Sequence, residues 1–263
     1  MNKEIKGGVL VALSTLGSGS MSVFAKLAYA SGANVLTVLF VRFILAGIML
    51  AGICVITRTS LMVGKKKAAI FLALGFFGYG IMACLFFNSL RFLSAPVVAL
   101  ILYSYPAIVF VLCLVTGKER FSPLKLISLL LSLGGISLVI GGEASGLNPT
   151  GVVLVLASAI LYAVYIVLSK DFMADTSPLV ATTFITIGSV LFNIVWAGIS
   201  RDLSLSISPL GWLAIGAVAL FSTVLALILF LQGLTYVGSS AAAIISTVEP
   251  VITIALAGII FGE

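Results

Sequence analysis

The chain alternates long apolar runs with short segments of Gly, Pro, Asn and charged residues. Each run is about 20 to 25 residues long, the length that an α-helix needs to cross a hydrocarbon core about 30 Å thick. The pattern predicts nine membrane-spanning helices, over residues 5–29, 34–57, 68–89, 95–116, 123–142, 150–170, 178–199, 209–232 and 239–261. No polar segment between them is long enough for a separate soluble domain, so we expect an all-α polytopic membrane protein.

The apolar pattern occurs twice. When the chain is displaced against itself by 144 residues, the coinciding residues include Gly7 and Gly151, Lys26 and Lys170, Pro106 and Pro250, and Glu119 and Glu263. We therefore predict two five-helix repeats, residues 1–144 with helices 1–5 and residues 145–263 with helices 6–9. Because five is an odd number, the two copies are expected to lie in opposite orientations. A counterpart of the fifth helix is missing, so we expect ten helices in the complete protein and nine in this chain.

Composition supports the membrane class and adds an orientation. Hydrophobic residues make up 62% of the chain and charged residues 8%, whereas a soluble domain is about one quarter charged. The 14 Lys and Arg residues exceed the 8 Asp and Glu residues, but the excess lies in short loops rather than in a patch for nucleic acid. Most of it falls on the side of the chain that carries the N-terminus, which predicts a cytoplasmic N-terminus.

Several residues and their spacing form a pattern similar to that of a known family. They are the Lys26 and Lys170 pair that ends the first helix of each repeat, Arg42 in the second helix, and the segment from Glu249-Pro250 to Gly262-Glu263. Together they resemble the EamA-like family of the drug/metabolite transporter superfamily, over the whole chain except the tenth helix. The resemblance implies a multi-pass transporter of the bacterial cytoplasmic (inner) membrane, in a family whose members often export amino acids or other small metabolites.

Glu249 is the leading candidate for function. It lies about 15 Å from either end of its apolar run, where a carboxylate is costly unless it faces protein or water. It could bind an amine or carry a proton; alternatively it is protonated and helps to shape the helix around Pro250. The first repeat has Tyr105 at the equivalent position, so a role of the carboxylate is not duplicated. Pro106 and Pro250 predict paired helix bends beside a central cavity, with simple packing kinks as the alternative.

Other polar residues inside the predicted helices are weaker candidates. Arg42, about 10 Å into the second helix, either clamps a substrate carboxylate or extends outward to the membrane surface. The remaining candidate substrate contacts carry hydroxyl groups: Tyr79, Tyr103, Tyr162, Tyr165 and Thr247. They suit an apolar or aromatic substrate, or they bond helix to helix. The small residues Ser14 and Ser18 indicate close helix packing, with a cavity wall as the second interpretation.

Enzyme chemistry finds little support. The chain contains no His, no two acidic residues within one predicted helix, and no Gly-rich phosphate loop, which disfavours His-dependent catalysis, zinc sites, paired carboxylates and ATP-driven pumping. We expect no metal and no cofactor.

The main hypothesis is a secondary transporter of a small metabolite such as an amino acid or amine. It would work by alternating access around a cavity lined by helices 1, 3, 4, 6, 8 and 9. Its partners would be the substrate and the lipid bilayer, and we expect no nucleic acid. Proton coupling is one role open to Glu249. The alternatives are a non-transporting membrane interaction or assembly protein, and a membrane enzyme acting on lipid-linked substrates.

Overall fold

The computed structural model describes residues 3–140, 147–173 and 175–261. These residues form nine helices without a strand: α1 Lys3–Ala30, α2 Val35–Ile56, α3 Lys65–Ser89, α4 Ala95–Val115, α5 Pro123–Ile140, α6 Pro149–Phe172, α7 Pro178–Ser200, α8 Pro209–Val237 and α9 Ser239–Phe261. All of them except α5 are among the eight whose length and composition suit a membrane crossing. The prediction of an all-α polytopic membrane protein is confirmed. Gly262, Glu263 and the boundary between residues 144 and 145 lie outside the described residues.

The helix ends differ from the predicted ends by more than two residues at two places. Helix α3 begins at Lys65 rather than at residue 68, because lysine side chains in a first turn can reach water beyond the apolar region. Helix α8 continues to Val237 instead of ending at residue 232. Gly233, the residue after the predicted end, lies inside the helix, where a Cβ atom would come within 2.6 Å of Val11 Cγ2 on α1. The helix ends at Gly238, whose φ of +83° suits glycine.

Helices α3, α4, α8 and α9 are irregular at points that follow the 144-residue displacement, and α1 is interrupted at Ser20, between Lys3–Gly19 and Met21–Ala30. Helix α3 has π-helical geometry over Leu74–Gly80, and α8 has it over Val218–Leu225. Helix α4 is interrupted after Leu102 and resumes at Tyr105, whereas α9 passes through a 3₁₀ turn and resumes as an α-helix at Glu249. Pro106 and Pro250 each lie in the first turn of the resumed helix, a position that does not need the proline N–H.

Each π-helical segment has a hydroxyl group that satisfies one of its carbonyl oxygens. Ser189 Oγ on α7 donates to the Gly75 carbonyl oxygen at 3.0 Å. Thr223 Oγ1 donates to the carbonyl oxygen of Val218, five residues earlier in α8, at the same distance. Wide turns therefore persist in the core because nearby side chains supply the hydrogen bonds that an apolar environment requires.

The contacts between helices follow the predicted repeat: a contact between two helices recurs between their equivalents when α1–α4 are matched with α6–α9. Helix α1 packs on α8 as α6 packs on α3, α1 contacts α9 as α6 contacts α4, and α3 contacts α7 as α8 contacts α2. The equivalence extends to single contacts. A Cβ atom on Gly7 would meet Tyr236 and Val237, and one on Gly151 would meet the residues 144 positions earlier, Phe92 and Leu93.

The two ends of the bundle have different polar groups. One end, which we call the lysine-rich end, carries the start of α1, the α4–α5 loop and the α8–α9 turn. Here Lys118 pairs with Asp171 at 2.5 Å, and Lys125 pairs with Glu119 at 2.6 Å. The other end, which we call the opposite end, carries the loops at residues 31–34, 90–94 and 201–208.

Glu119 also joins the α4–α5 loop to α9. Its Oε1 atom accepts a hydrogen bond from the Ser240 backbone N–H at 3.3 Å, in the first turn of that helix. Burial acts to raise the pKa of Glu119, but the hydrogen bonds from Lys125 and Ser240 outweigh burial and hold that pKa below its ordinary value.

Candidate functional site

Glu249 lies inside the bundle at the point where α9 changes direction. It is the first residue of the α-helix that follows the 3₁₀ turn Ser246–Val248. Its Oε2 atom accepts a hydrogen bond from Ser18 Oγ on α1, and the Tyr103 hydroxyl on α4 also contacts the carboxyl group. The carboxylate therefore faces protein hydroxyl groups and not lipid, as an ionisable group at this depth requires.

A small cavity lies beside Glu249, lined by five helices. Its wall comprises Ser14 and Ser18 from α1, Tyr79 from α3, Tyr162 from α6, Ser222, Ala226, Leu227 and Phe230 from α8, and Ser246 and Glu249 from α9. Four serines, two tyrosines and one carboxylate make this wall unusually polar for the interior of an apolar bundle. Helices from both predicted repeats contribute to it.

The cavity has a volume of about 30 Å³. This volume admits one or two water molecules, whereas sites for small organic ligands usually measure about 300–1,000 Å³. In the described conformation the cavity beside Glu249 is therefore too small for an organic substrate.

The candidate tyrosines form a connected aromatic cluster. Ring centroids are 4.7 Å apart for Tyr105 and Tyr162, 6.0 Å for Tyr162 and Tyr165, and 5.5 Å for Tyr165 and Tyr79. Tyr103 joins the cluster through Tyr105, at 5.3 Å. Only Tyr79 and Tyr162 line the cavity; Tyr103 contacts Glu249 from outside the lining, and Tyr165 supports the other two rings.

Arg42 does not line the cavity, and it does not extend outward to the membrane surface. It is completely buried. Its guanidinium group lies over the rings of Phe43 and Phe87, at 4.4 Å and 4.8 Å from their centroids. One of its nitrogens approaches the Tyr79 hydroxyl at 3.5 Å and another approaches Met21 Sδ at 3.2 Å. Arg42 is thus connected to the cavity through Tyr79.

Thr247 lies outside the cavity lining as well. Its hydroxyl donates to the Ile244 carbonyl oxygen at 2.7 Å, within the same helix. Ser246, one residue earlier, lines the cavity instead. Both residues belong to the 3₁₀ turn Ser246–Val248, whose tighter winding changes which side chains point inward.

Sequence reasoning missed Ser222, Ser246 and Phe230 and named Ser14 and Ser18 mainly as packing residues. Ser222 Oγ donates to the Gly17 carbonyl oxygen at 2.6 Å, across the contact between α8 and α1. The available signal was the set of serines within apolar runs, which does not distinguish a cavity wall from a helix contact. Among the described residues, no group of three or more Cys, Asp and Glu side chains could hold a metal ion.

Larger cavities lie nearer the two ends of the bundle. At the opposite end a cavity of about 390 Å³ is bordered by polar and aromatic residues, among them Tyr29, Asn34, Arg91, Trp196 and Asp202. At the lysine-rich end a cavity of about 560 Å³ contains the two ion pairs described above. Both are large enough for a small organic molecule.

Comparison with known proteins identifies the family. The model of the EamA-like transporter family matches residues 5–141 and again residues 149–263. The chain belongs to the EamA-like transporter family. The family resemblance seen in the sequence is confirmed, as is a membrane transporter at the level of the family.

Individual relatives agree with this assignment. The uncharacterized transporter YcbK of Bacillus subtilis is 29% identical over 267 residues, spanning 98% of this chain and 86% of YcbK. The uncharacterized transporter YyaM of the same organism is 29% identical over 196 residues, spanning 72% of this chain and 64% of YyaM. A crystal structure at 19% identity superposes with a TM-score of 0.76, over 96% of this chain and 87% of the other, which shows a shared fold.

Proposed function

We propose that this chain is a secondary transporter that exports a small metabolite with an amino group, either an amino acid or an amine. The observation that carries the proposal is the Glu249 carboxylate at the wall of a hydroxyl-lined cavity between the helices of two repeats. A carboxylate surrounded by hydroxyl groups can bind an ammonium group through charge-assisted hydrogen bonds. The carboxylate can also take up a proton when the substrate leaves, and this exchange would couple transport to protons.

The proposed mechanism is alternating access between inverted repeats, residues 1–144 and 145–263. Its support is the exchange symmetry of the helix contacts and the recurrence of π-helical segments at the same displacement. Because both repeats line the cavity, a rocking motion of one against the other would enlarge it at one end at a time. The cavity of about 30 Å³ then corresponds to a closed state between the two open ones.

Orientation follows from the two ends. We place the lysine-rich end in the cytoplasm of a cell with an inner membrane, with the N-terminus on the same side, because Lys and Arg are enriched in cytoplasmic loops. Export would then carry the substrate from the lysine-rich end to the opposite end. The aromatic cluster beside Glu249 favours a substrate with an apolar or aromatic body.

The test measures amine binding to the purified protein. We expect 2-phenylethylamine to bind the wild type and to bind Glu249→Gln about tenfold to a hundredfold more weakly, since hydrogen bonds to a charged group are worth about 1.5–3 kcal/mol. Asp175→Asn is the matched control, because it makes the same change of acid to amide on a side chain that is 87% exposed. Equal affinities of wild type and Glu249→Gln would refute the assigned role of the carboxylate.

A second measurement separates a transporter from a non-transporting assembly protein. Ser222→Cys, in a protein lacking Cys54, Cys84 and Cys113, places a thiol at the cavity wall. In proteoliposomes, a membrane-impermeant thiol reagent should label this cysteine from each side of the membrane, and an excess of 2-phenylethylamine should slow the labelling. A cysteine that stays unlabelled from both sides would support the assembly protein instead.

A further inference from the structure

Arg42 carries a charge that nothing in the described part of the chain neutralises. Its side chain is completely buried, and none of the described carboxylates lies within ion-pair distance of it. Its Nε–H has no hydrogen-bond acceptor among the described residues. The contacts it does make, with aromatic faces, a thioether sulfur and one hydroxyl, are weak partners for a guanidinium group. A buried charge in this condition is costly unless an anion joins it.

Arg42 is connected by contacts to two cavities, the one beside Glu249 and the one of about 390 Å³ at the opposite end. On one side, its neighbour Tyr79 lines the cavity beside Glu249. On the other side, the Phe87 ring lies under the guanidinium, and the Phe87 carbonyl oxygen accepts a hydrogen bond from Tyr29, which lines the cavity of about 390 Å³. Contacts through Tyr79 and Phe87 thus link Arg42 to both cavities.

We propose that Arg42 is the binding site for the carboxylate of the transported molecule as it passes between the cavity beside Glu249 and the opposite end. The substrate class is then a zwitterion, an apolar or aromatic amino acid, and not a simple amine. The planar guanidinium matches a carboxylate with two parallel hydrogen bonds. Its Nε–H is free to make one of them, and the other would come from a terminal nitrogen that now has only sulfur or a hydroxyl as its partner.

This inference rests on the proposed transport function but depends on a different end of the substrate. Three probes with the same phenyl group separate the two: 2-phenylethylamine has only the amine, 3-phenylpropanoate has only the carboxylate, and phenylalanine has both. Binding of each is measured by titration calorimetry on the purified full chain, for the wild type, Arg42→Gln and Glu249→Gln. Arg201→Gln is the control, because it makes the same change on an exposed arginine at the opposite end.

We expect Arg42→Gln to weaken 3-phenylpropanoate and phenylalanine by about tenfold or more, and to leave 2-phenylethylamine unchanged. Glu249→Gln should weaken 2-phenylethylamine and phenylalanine and leave 3-phenylpropanoate unchanged. If Glu249→Gln has no effect while Arg42→Gln has the predicted one, the amine site is wrong and the carboxylate site stands. If 3-phenylpropanoate does not bind the wild type, or binds Arg42→Gln with equal affinity, the carboxylate site is refuted.

A measurement without ligand guards against a variant that fails to fold. Arg42→Met keeps a long side chain among the aromatic rings and removes the unpaired charge, so its Tm should equal or exceed that of the wild type. If Arg42 served only to anchor helices, Arg42→Met would have a lower Tm than the wild type, and Arg42→Lys would have the Tm of the wild type. That combination would also overturn the proposal.

Discussion

Gly17 tests how closely the helices around the cavity must approach. It lies on α1, next to Ser18, and faces α8. A Cβ atom built on it would lie 2.3 Å from the Phe221 carbonyl oxygen and 3.2 Å from the Ala226 Cβ atom. Its own carbonyl oxygen accepts the hydrogen bond from Ser222. Gly17→Ala therefore cannot be accommodated by turning a side chain, because the atom in its way belongs to the backbone of a π-helical segment.

The expected cost follows from these distances. The contact must lengthen by at least about 0.7 Å to reach 3.0 Å, below which Cβ contacts are essentially never found. Overpacking of this kind costs about 1–3 kcal/mol. In a chain of this size, each kcal/mol lowers the Tm by about 2–4 °C. Ser18, the next residue, donates a hydrogen bond to Glu249, so we also expect weaker binding of 2-phenylethylamine.

Thermal unfolding of the purified protein, followed by tryptophan fluorescence, measures the first effect. Gly8→Ala is the control on the same helix, because its Cβ atom would lie 3.7 Å from Ile245 Cδ1, an ordinary contact. Replacing glycine by alanine at such a helical site raises stability by about 0.5–1 kcal/mol. The two variants should therefore shift the Tm in opposite directions. A Gly17→Ala protein at least as stable as Gly8→Ala would refute the close approach of α1 and α8.

Two further predictions concern other parts of the bundle. Glu119→Gln should lower the Tm at neutral pH: a carboxyl group whose folded pKa is lowered adds stability above its unfolded pKa of about 4.5, and that stability is lost as the pH falls through the folded value. The Tm difference from wild type should therefore shrink in acid, and a difference that does not change with pH would argue against the contacts of Glu119 with Lys125. Gly188→Ala should lower the Tm, because its Cβ atom would lie 2.2 Å from the Leu72 carbonyl oxygen, whereas Gly198→Ala on the same helix meets nothing within 4 Å and should not; melting curves that agree for the two variants would contradict this packing.

The candidate site was only partly predictable. The sequence singled out Glu249 because a carboxylate in the middle of an apolar run is costly anywhere but in a protein interior or beside water. It also placed Tyr79 and Tyr162 inside spans as hydroxyl-bearing residues, and both line the cavity. Ser222 and Ser246 carried no such signal, because a serine in a membrane helix is inexpensive and common at packing contacts. Thr247 is a candidate because it lies 144 residues after Tyr103, but the residue that lines the cavity is Ser246, the first of the 3₁₀ turn.

For Arg42, the sequence predicted the depth in the membrane but not the neighbours of the side chain. Its depth in the second helix followed from counting residues, but two outcomes remained open, a substrate clamp and an outward-reaching side chain. The rings of Phe43, Tyr79 and Phe87 surround it, and two of these come from a different helix. Which neighbours a side chain meets depends on helix rotation and crossing, and these are set by packing between segments far apart in the chain.

The sequence alone determined that this is a membrane protein of long helices, approximately where each helix lies, and that Pro106 and Pro250 occupy equivalent positions 144 residues apart. These properties follow from helix length, hydrocarbon thickness and the apolar pattern, all of which are local. The tertiary structure decided that the irregular points are π-helical and 3₁₀ turns, that Glu249 meets Ser18 across the bundle, and that Arg42 is buried among aromatic rings. The physical reason is that hydrogen bonds and close contacts between helices choose among local geometries of nearly equal energy.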